Sequence, residues 1–180
     1  MMTEIILVPG INGSGPAHWQ SLWAAEDATM RPFQPRDWDH PELDDWLGAL
    51  DAAVAASNAP PVLVAHSLGC LLVAFWQARS AHPVAGAFLV AVPDPVGPKF
   101  PAAAASFTAP PGDSFRCPAL IVGSSDDPYG TPDYARQRAA QWGCGYLDIG
   151  AKGHLNAKSG LGAWPVGRAL LTAFIAGLAH

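Results

Sequence analysis

The chain has 180 residues, 50% of them apolar and 14% charged, which suits one ordered globular domain over 1–180 and excludes a disordered polymer. Ten Lys and Arg stand against fifteen Asp and Glu, a net charge of −5 with no basic cluster, so neither nucleic acid nor an anionic membrane is an expected partner. The three cysteines, Cys70, Cys117 and Cys144, show no CxxC spacing and support neither a disulfide framework nor a zinc site.

Met1-Met2-Thr3-Glu4 leads straight into Ile5-Ile6-Leu7-Val8. With no basic n-region and no bilayer-length apolar stretch, a soluble cytoplasmic protein is expected. Ile5 to Val8 is a continuous apolar run closed by Pro9-Gly10, the pattern of a strand buried on both faces. Short polar residues and glycines follow through Gly15. Residues 17–26 then read as a helix, with Trp19, Leu22 and Trp23 on one face and Pro16 placed for a first turn. The region 28–34 is a candidate further strand. A second helix is predicted over 41–56, where Leu43, Trp46, Leu47, Leu50 and Val54 recur at helical steps before Pro60-Pro61.

Val62 to Ala65 is the next strand. It turns at His66-Ser67-Leu68-Gly69 into an apolar helix from Cys70 to Ala78. A strand over Gly86–Ala91 follows. Residues 93–113 are rich in Pro and Ala and predict a long loop with a short helix over 101–106. Ala119 to Val122 is a strand ending at Gly123-Ser124-Ser125-Asp126-Asp127-Pro128. A helix over 132–142, a strand over Tyr146–Ile149 and a helix over 165–178 complete the chain. This alternation predicts an α/β fold with a mostly parallel sheet and helices on both faces. Ligands of such sheets bind outside the carboxyl ends of the strands. Residues 10–15, Ser67, Asp126/Asp127 and His154 all fall there.

Those positions suggest nucleophilic chemistry. A serine needs a base within hydrogen-bond reach and a third group to orient the base. Ala65-His66-Ser67-Leu68-Gly69 occupies a strand-to-helix turn, where a nucleophile elbow of the G-x-S-x-G type belongs. Ala65 replaces the first glycine. The competing reading of Ser67 is a simple helix cap. Asp126 or Asp127, then His154, follow in the order Ser, Asp, His. His18, His40 and His66 precede or abut the serine, His82 follows the next helix, and His180 ends the chain, so His154 is the candidate base. Turn chemistry alone also explains an Asp-Asp-Pro segment, and pattern does not separate the two aspartates. The expected oxyanion donors are the backbone N–H groups of Leu68 and of Ile11 or Asn12; Pro9 has none to offer. His18-Trp19 reads as core packing with a helix-start histidine, or as a wall of the site.

No cofactor is expected. Gly13-Ser14-Gly15-Pro16-Ala17-His18 fails the G-x-G-x-x-G fingerprint, the Walker Gly-Lys-Ser/Thr is missing, and no ligand set clusters for a metal. A non-catalytic interaction module on the same fold is the alternative to an enzyme.

Three segments resemble the small serine hydrolases related to retinoblastoma-binding protein 9, especially bacterial ones. They are Val8-Pro9-Gly10 through His18-Trp19-Gln20-Ser21-Leu22-Trp23, Val64-Ala65-His66-Ser67-Leu68-Gly69-Cys70, and Gly153-His154-Leu155-Asn156 through Gly162 with Trp164-Pro165. The resemblance covers nearly the whole chain. It implies a compact α/β-hydrolase fold without a large cap domain, and a catalytic Ser67, His154 and Asp127, the last as the aspartate directly before proline. It implies a serine hydrolase and supplies no substrate; the reaction expected of these residues is hydrolysis of a small ester through an acyl-enzyme, with amide and thioester as alternatives. The Leu-x-Cys-x-Glu motif is missing, so a retinoblastoma-type partner does not carry over.

Overall fold

The computed structural model describes residues 3–178; His180, weighed above as the chain end, lies outside them. Six strands form one sheet: β1 (Ile5–Val8), β2 (Met30–Pro32), β3 (Val62–His66), β4 (Gly86–Val90), β5 (Ala119–Gly123) and β6 (Gly145–Asp148). Their order is β2-β1-β3-β4-β5-β6, and every pairing is parallel. The expected strand near 28–34 is β2, an edge strand. Pro32 sits where an edge tolerates a residue without an N–H.

Among the described residues five α-helices cover the sheet: α1 (Trp19–Glu26), α2 (Leu43–Ala55), α3 (Leu68–Arg79), α4 (Pro132–Trp142) and α5 (Pro165–Gly177). Alternate strand residues sort onto two faces, as the two-residue period requires. Ile6, Val8, Leu63, Ala65, Ala87, Leu89 and Ile121 pack with α2, α3 and α4. Ile5, Leu7, Val62, Val64, Phe88, Val90 and Val122 pack with Trp19 and Trp23 of α1 and Leu171 of α5. Both faces are covered, which is why the central strands read as unbroken apolar runs. Every residue of β1, β3 and β4 is buried.

Several expected bounds move by one or two residues, as at α2 and β6, and three changes have a clear physical setting. The first helix begins at Trp19 rather than residue 17, because His18 is extended (φ −79°, ψ 140°) and its side chain caps the helix by accepting from the Gln20 N–H. Pro16 therefore lies before the helix, not in its first turn. The helix after Ser67 starts at Leu68, two residues earlier than expected. The short helix of the Pro-rich loop is a 3₁₀ turn over Ala102–Phe107, anchored where Phe107 packs edge-on to Trp46 and Phe75.

Candidate active site

The β1–α1 loop, the β3–α3 turn, the β5–α4 loop and the β6–α5 loop meet beyond the carboxyl ends of the strands. They line a cavity of about 430 Å³ that exposes Gly10, Ile11, His18, Ser67, Leu68 and His154.

Ser67 sits at a sharp corner. Its backbone has φ 55° and ψ −124°, a conformation that costs a non-glycine residue energy and persists only where the surroundings impose it. The surroundings here are tight. A Cβ at Gly69 would collide with the Val8 carbonyl, and one at Gly10 would crowd the Ser67 Cβ at 3.0 Å and the Leu68 nitrogen at 3.2 Å. Thus β1 and its loop press directly against the elbow, and Gly69 is the flank that has to be glycine. The other flank, Ala65, is fully buried with its methyl accommodated in the core. The Ser67 side chain makes no cap bond to α3, so the helix-cap reading falls. Instead, its hydroxyl lies 2.8 Å from His154 Nε2.

His154 Nδ1 is 2.9 Å from both carboxylate oxygens of Asp127. A carboxylate only accepts, so Nδ1 carries the ring proton and Nε2 is free to accept from the Ser67 hydroxyl. The Asp127 side chain is 2% exposed. The neighbouring Asp126 faces elsewhere: its Oδ1 accepts from the Ser124 hydroxyl at 2.8 Å and the Gly153 N–H at 2.7 Å. Those two donors hold its carboxyl below the usual carboxylate range. The two aspartates that pattern left equivalent thus have different partners.

The loop bearing His154 is held from four directions. Gly153 is tied to Asp126, and the Lys152 N–H donates to Ser124 Oγ at 2.9 Å. The His154 carbonyl accepts from His66 Nε2 at 2.9 Å. The Leu155 carbonyl accepts from the Trp19 indole at 2.8 Å, and Leu155 itself has φ 52°. His66 abuts the serine in sequence, yet its ring fixes the backbone of His154. Burial pushes the His66 pKa well below its ordinary value, so its ring is neutral and its Nε2–H donates.

The tryptophans of the first and third recognised segments explain one another. Trp19, Trp23 and Trp164 pack with ring centroids 4.5 to 6.1 Å apart. The Trp23 indole donates to the Ala163 carbonyl at 2.6 Å. These contacts join α1 to the segment that follows His154.

The β1–α1 loop is equally fixed. Gln20 accepts from Ser14 Oγ at 2.6 Å and donates to the Val64 carbonyl at 3.0 Å. The Asn12 N–H donates to the Trp38 carbonyl at 2.8 Å. Of the two loop alternatives for an oxyanion donor, Asn12 therefore has its N–H committed elsewhere, and Ile11 is left. Leu68 is the first residue of α3, where backbone N–H groups lack an intrahelical acceptor.

His18 meets both of its expectations. Its Nδ1 caps α1, and its ring lines the cavity, 4.7 Å edge-on from His66. It is 5% exposed. Burial and the nearby His154 push its pKa down to about 4. With Nδ1 accepting from Gln20, the proton of the neutral ring is on Nε2, and that atom has no hydrogen-bond partner. Cys70 is no rival nucleophile: its thiol is buried, donates to the Val90 carbonyl at 3.3 Å, and has its pKa raised by that burial.

A parallel sheet with helices on both faces and a strained serine at the β3–α3 corner defines an α/β-hydrolase-type protein. The profile of the family described as Serine hydrolase matches residues 5–173, and the chain belongs to that family. No curated protein matches it significantly. Among solved structures it is similar to a protein described as a YdeN-like hydrolase from Pectobacterium atrosepticum, with 28% identity and a TM-score of 0.88 over 98% of this chain and 92% of that one. The ydeN gene product of Bacillus subtilis aligns with 21% identity and a TM-score of 0.77 over 97% of this chain and all of that one. Est1E of Butyrivibrio proteoclasticus, solved with ferulic acid bound, shares the fold at 14% identity and a TM-score of 0.74, over 99% of this chain and 90% of that one.

Proposed function

We propose that the protein hydrolyses a small ester through an acyl-enzyme formed on Ser67. The observation that carries this is the unbroken chain Ser67 Oγ–His154–Asp127, with links of 2.8 and 2.9 Å between groups from three separate loops. Ser67 Oγ attacks the ester carbonyl carbon while His154 Nε2 takes its proton. The carbonyl oxygen becomes an oxyanion, held by the N–H groups of Leu68 and Ile11. The C–O bond to the alcohol breaks, and His154 returns the proton to the departing oxygen. Water then attacks the acyl-serine by the same proton path, releasing the acid and restoring Ser67. Asp127 keeps the Nδ1–H in place and stabilises the imidazolium. Asp126 shapes the loop and takes no part in proton transfer. No step needs a cofactor or metal.

Kinship with the small hydrolases related to retinoblastoma-binding protein 9 rests on the three resembling segments, two of which Trp19, Trp23 and Trp164 pack together. Two apolar layers on one sheet support a single domain over 1–180. Among the described residues no helix is long and apolar enough to cross a membrane.

The test is turnover of 4-nitrophenyl acetate. Ser67→Ala and His154→Ala are each expected to lose about 10⁴-fold or more in kcat, as removal of a nucleophile or its base does elsewhere. Variants that match the wild type overturn the proposal.

A further inference from the structure

The positive charges of this chain are unevenly employed. It has seven arginines and three lysines. Five arginines sit within 4 Å of a carboxylate: Arg31 with Glu4, Arg36 with Asp45, Arg79 with Asp44, Arg136 with Asp133, and Arg168 with Asp27. Neither Lys99 nor Lys158 takes part in an ion pair of the described residues. Both line the cavity that holds Ser67. They arrive from different segments, Lys99 after β4 and Lys158 after β6. No carboxylate is among the lining residues, although acidic residues outnumber basic ones fifteen to ten along the chain.

A second observation comes from below the rim. His18 Nε2–H is a buried donor of that same lining with no partner, and an unsatisfied buried donor is costly unless a ligand or water completes it. The lining thus carries two ammonium groups outside any ion pair, one residue with a buried, unpartnered N–H, and no carboxylate.

We propose that the cavity takes an ester bearing an anionic group, carboxylate or phosphate, drawn in by Lys99 and Lys158. The inference rests on the hydrolytic reading of Ser67 above and adds a substrate class to it. Exposed lysines act mainly by steering and by weak pairing in water. The preference is therefore expected to be severalfold, and to shrink as salt screens it.

Two matched pairs test it and locate the anion. On the acyl side, 4-nitrophenyl hydrogen adipate is compared with 4-nitrophenyl hexanoate. On the alcohol side, 3-carboxyphenyl hexanoate is compared with 3-carbamoylphenyl hexanoate. Each is assayed as a substrate and as a competitor of fluorophosphonate labelling at Ser67. The anionic member of at least one pair is expected to win by about three- to tenfold in kcat/KM or in protection at 10 mM ionic strength. That ratio is expected to fall toward one in Lys99→Gln/Lys158→Gln and, for the wild type, at 0.5 M salt. Ratios near one for both pairs, or a preference that survives the double substitution, overturn the inference and leave the Ser67 chemistry standing. Wild-type protein that neither labels nor turns over any ester removes the hydrolytic reading and this inference with it.

Discussion

The loop that carries His154 and the segment that follows β4 both line the cavity, and they are held in opposite ways. Residues 152–155 are tied by distant partners: Ser124, Asp126, His66 and Trp19 each bond a backbone group of this loop. The segment from Pro93 to Pro101 is built of its own short turns. The Gly97 N–H donates to the Asp94 carbonyl and the Phe100 N–H to the Gly97 carbonyl, both at 3.0 Å, with the Asp94 N–H to Tyr129 carbonyl bond as a tie outward. Val96 at its tip is 84% exposed. The His154 loop is therefore fixed by long-range bonds from side chains of α1, β3 and the β5–α4 loop to its backbone. The cavity wall from Pro93 to Pro101 is held mainly by local turns, the kind of segment that varies on a rigid scaffold.

The sharpest way to break this contrast is at the paired aspartates. Asp127→Asn is expected to lower kcat by about 10³- to 10⁴-fold, because an amide in place of the carboxylate favours the wrong ring tautomer. Asp126→Asn keeps an oxygen for Gly153 and Ser124 and is expected to cost less than about tenfold. Equal losses in ester turnover would show that the two carboxylates share one role.

Acid tests the buried side next. The His18 pKa is held near 4 against an ordinary value of 6.5, and that of His66 is depressed in the same direction. Between those pH values the unfolded chain takes up protons that the folded chain refuses. Stability is therefore complete above pH 6.5 and declines as pH falls toward 4, by up to ~1.4 kcal/mol per pH unit from His18 alone. Thermal melts across this range are expected to show the slope. It should flatten in His18→Asn, whose side chain still caps α1. An unchanged slope in that variant contradicts the assignment.

A smaller effect is expected at Trp19→Phe, which keeps the ring but leaves the buried Leu155 carbonyl without its donor. Chemical denaturation should register a loss of about 1–3 kcal/mol. Val96→Ser, in the locally held segment, is expected to stay within about 0.5 kcal/mol of the wild type. A reversal of those two magnitudes would undo the comparison.

Much of the fold was legible because its signals are local. Ile5–Val8, Val62–Ala65 and Ala119–Val122 are continuous apolar runs of strand length bounded by turn residues, the pattern of a doubly covered strand, and each lies in a strand of the sheet. The order of Ser67, the aspartates and His154 was legible because each follows a strand. What escaped depends on non-local partners. Ile11 and Asn12 look alike in sequence; the Trp38 carbonyl, a chain-distant group, separates them. Asp126 and Asp127 are separated by Gly153 and His154 across 27 residues. His66 was passed over because nothing local shows that its ring reaches the His154 carbonyl.

The central claim is that Ser67 is an activated nucleophile, and covalent labelling tests it most directly. Folded wild-type protein treated with a fluorophosphonate should gain one adduct by intact mass. Digestion should place it on Ser67, with no adduct in Ser67→Ala. A wild-type protein that stays unlabelled while folded, or a Ser67→Ala variant that labels equally, would contradict the account and favour an interaction module on a hydrolase fold.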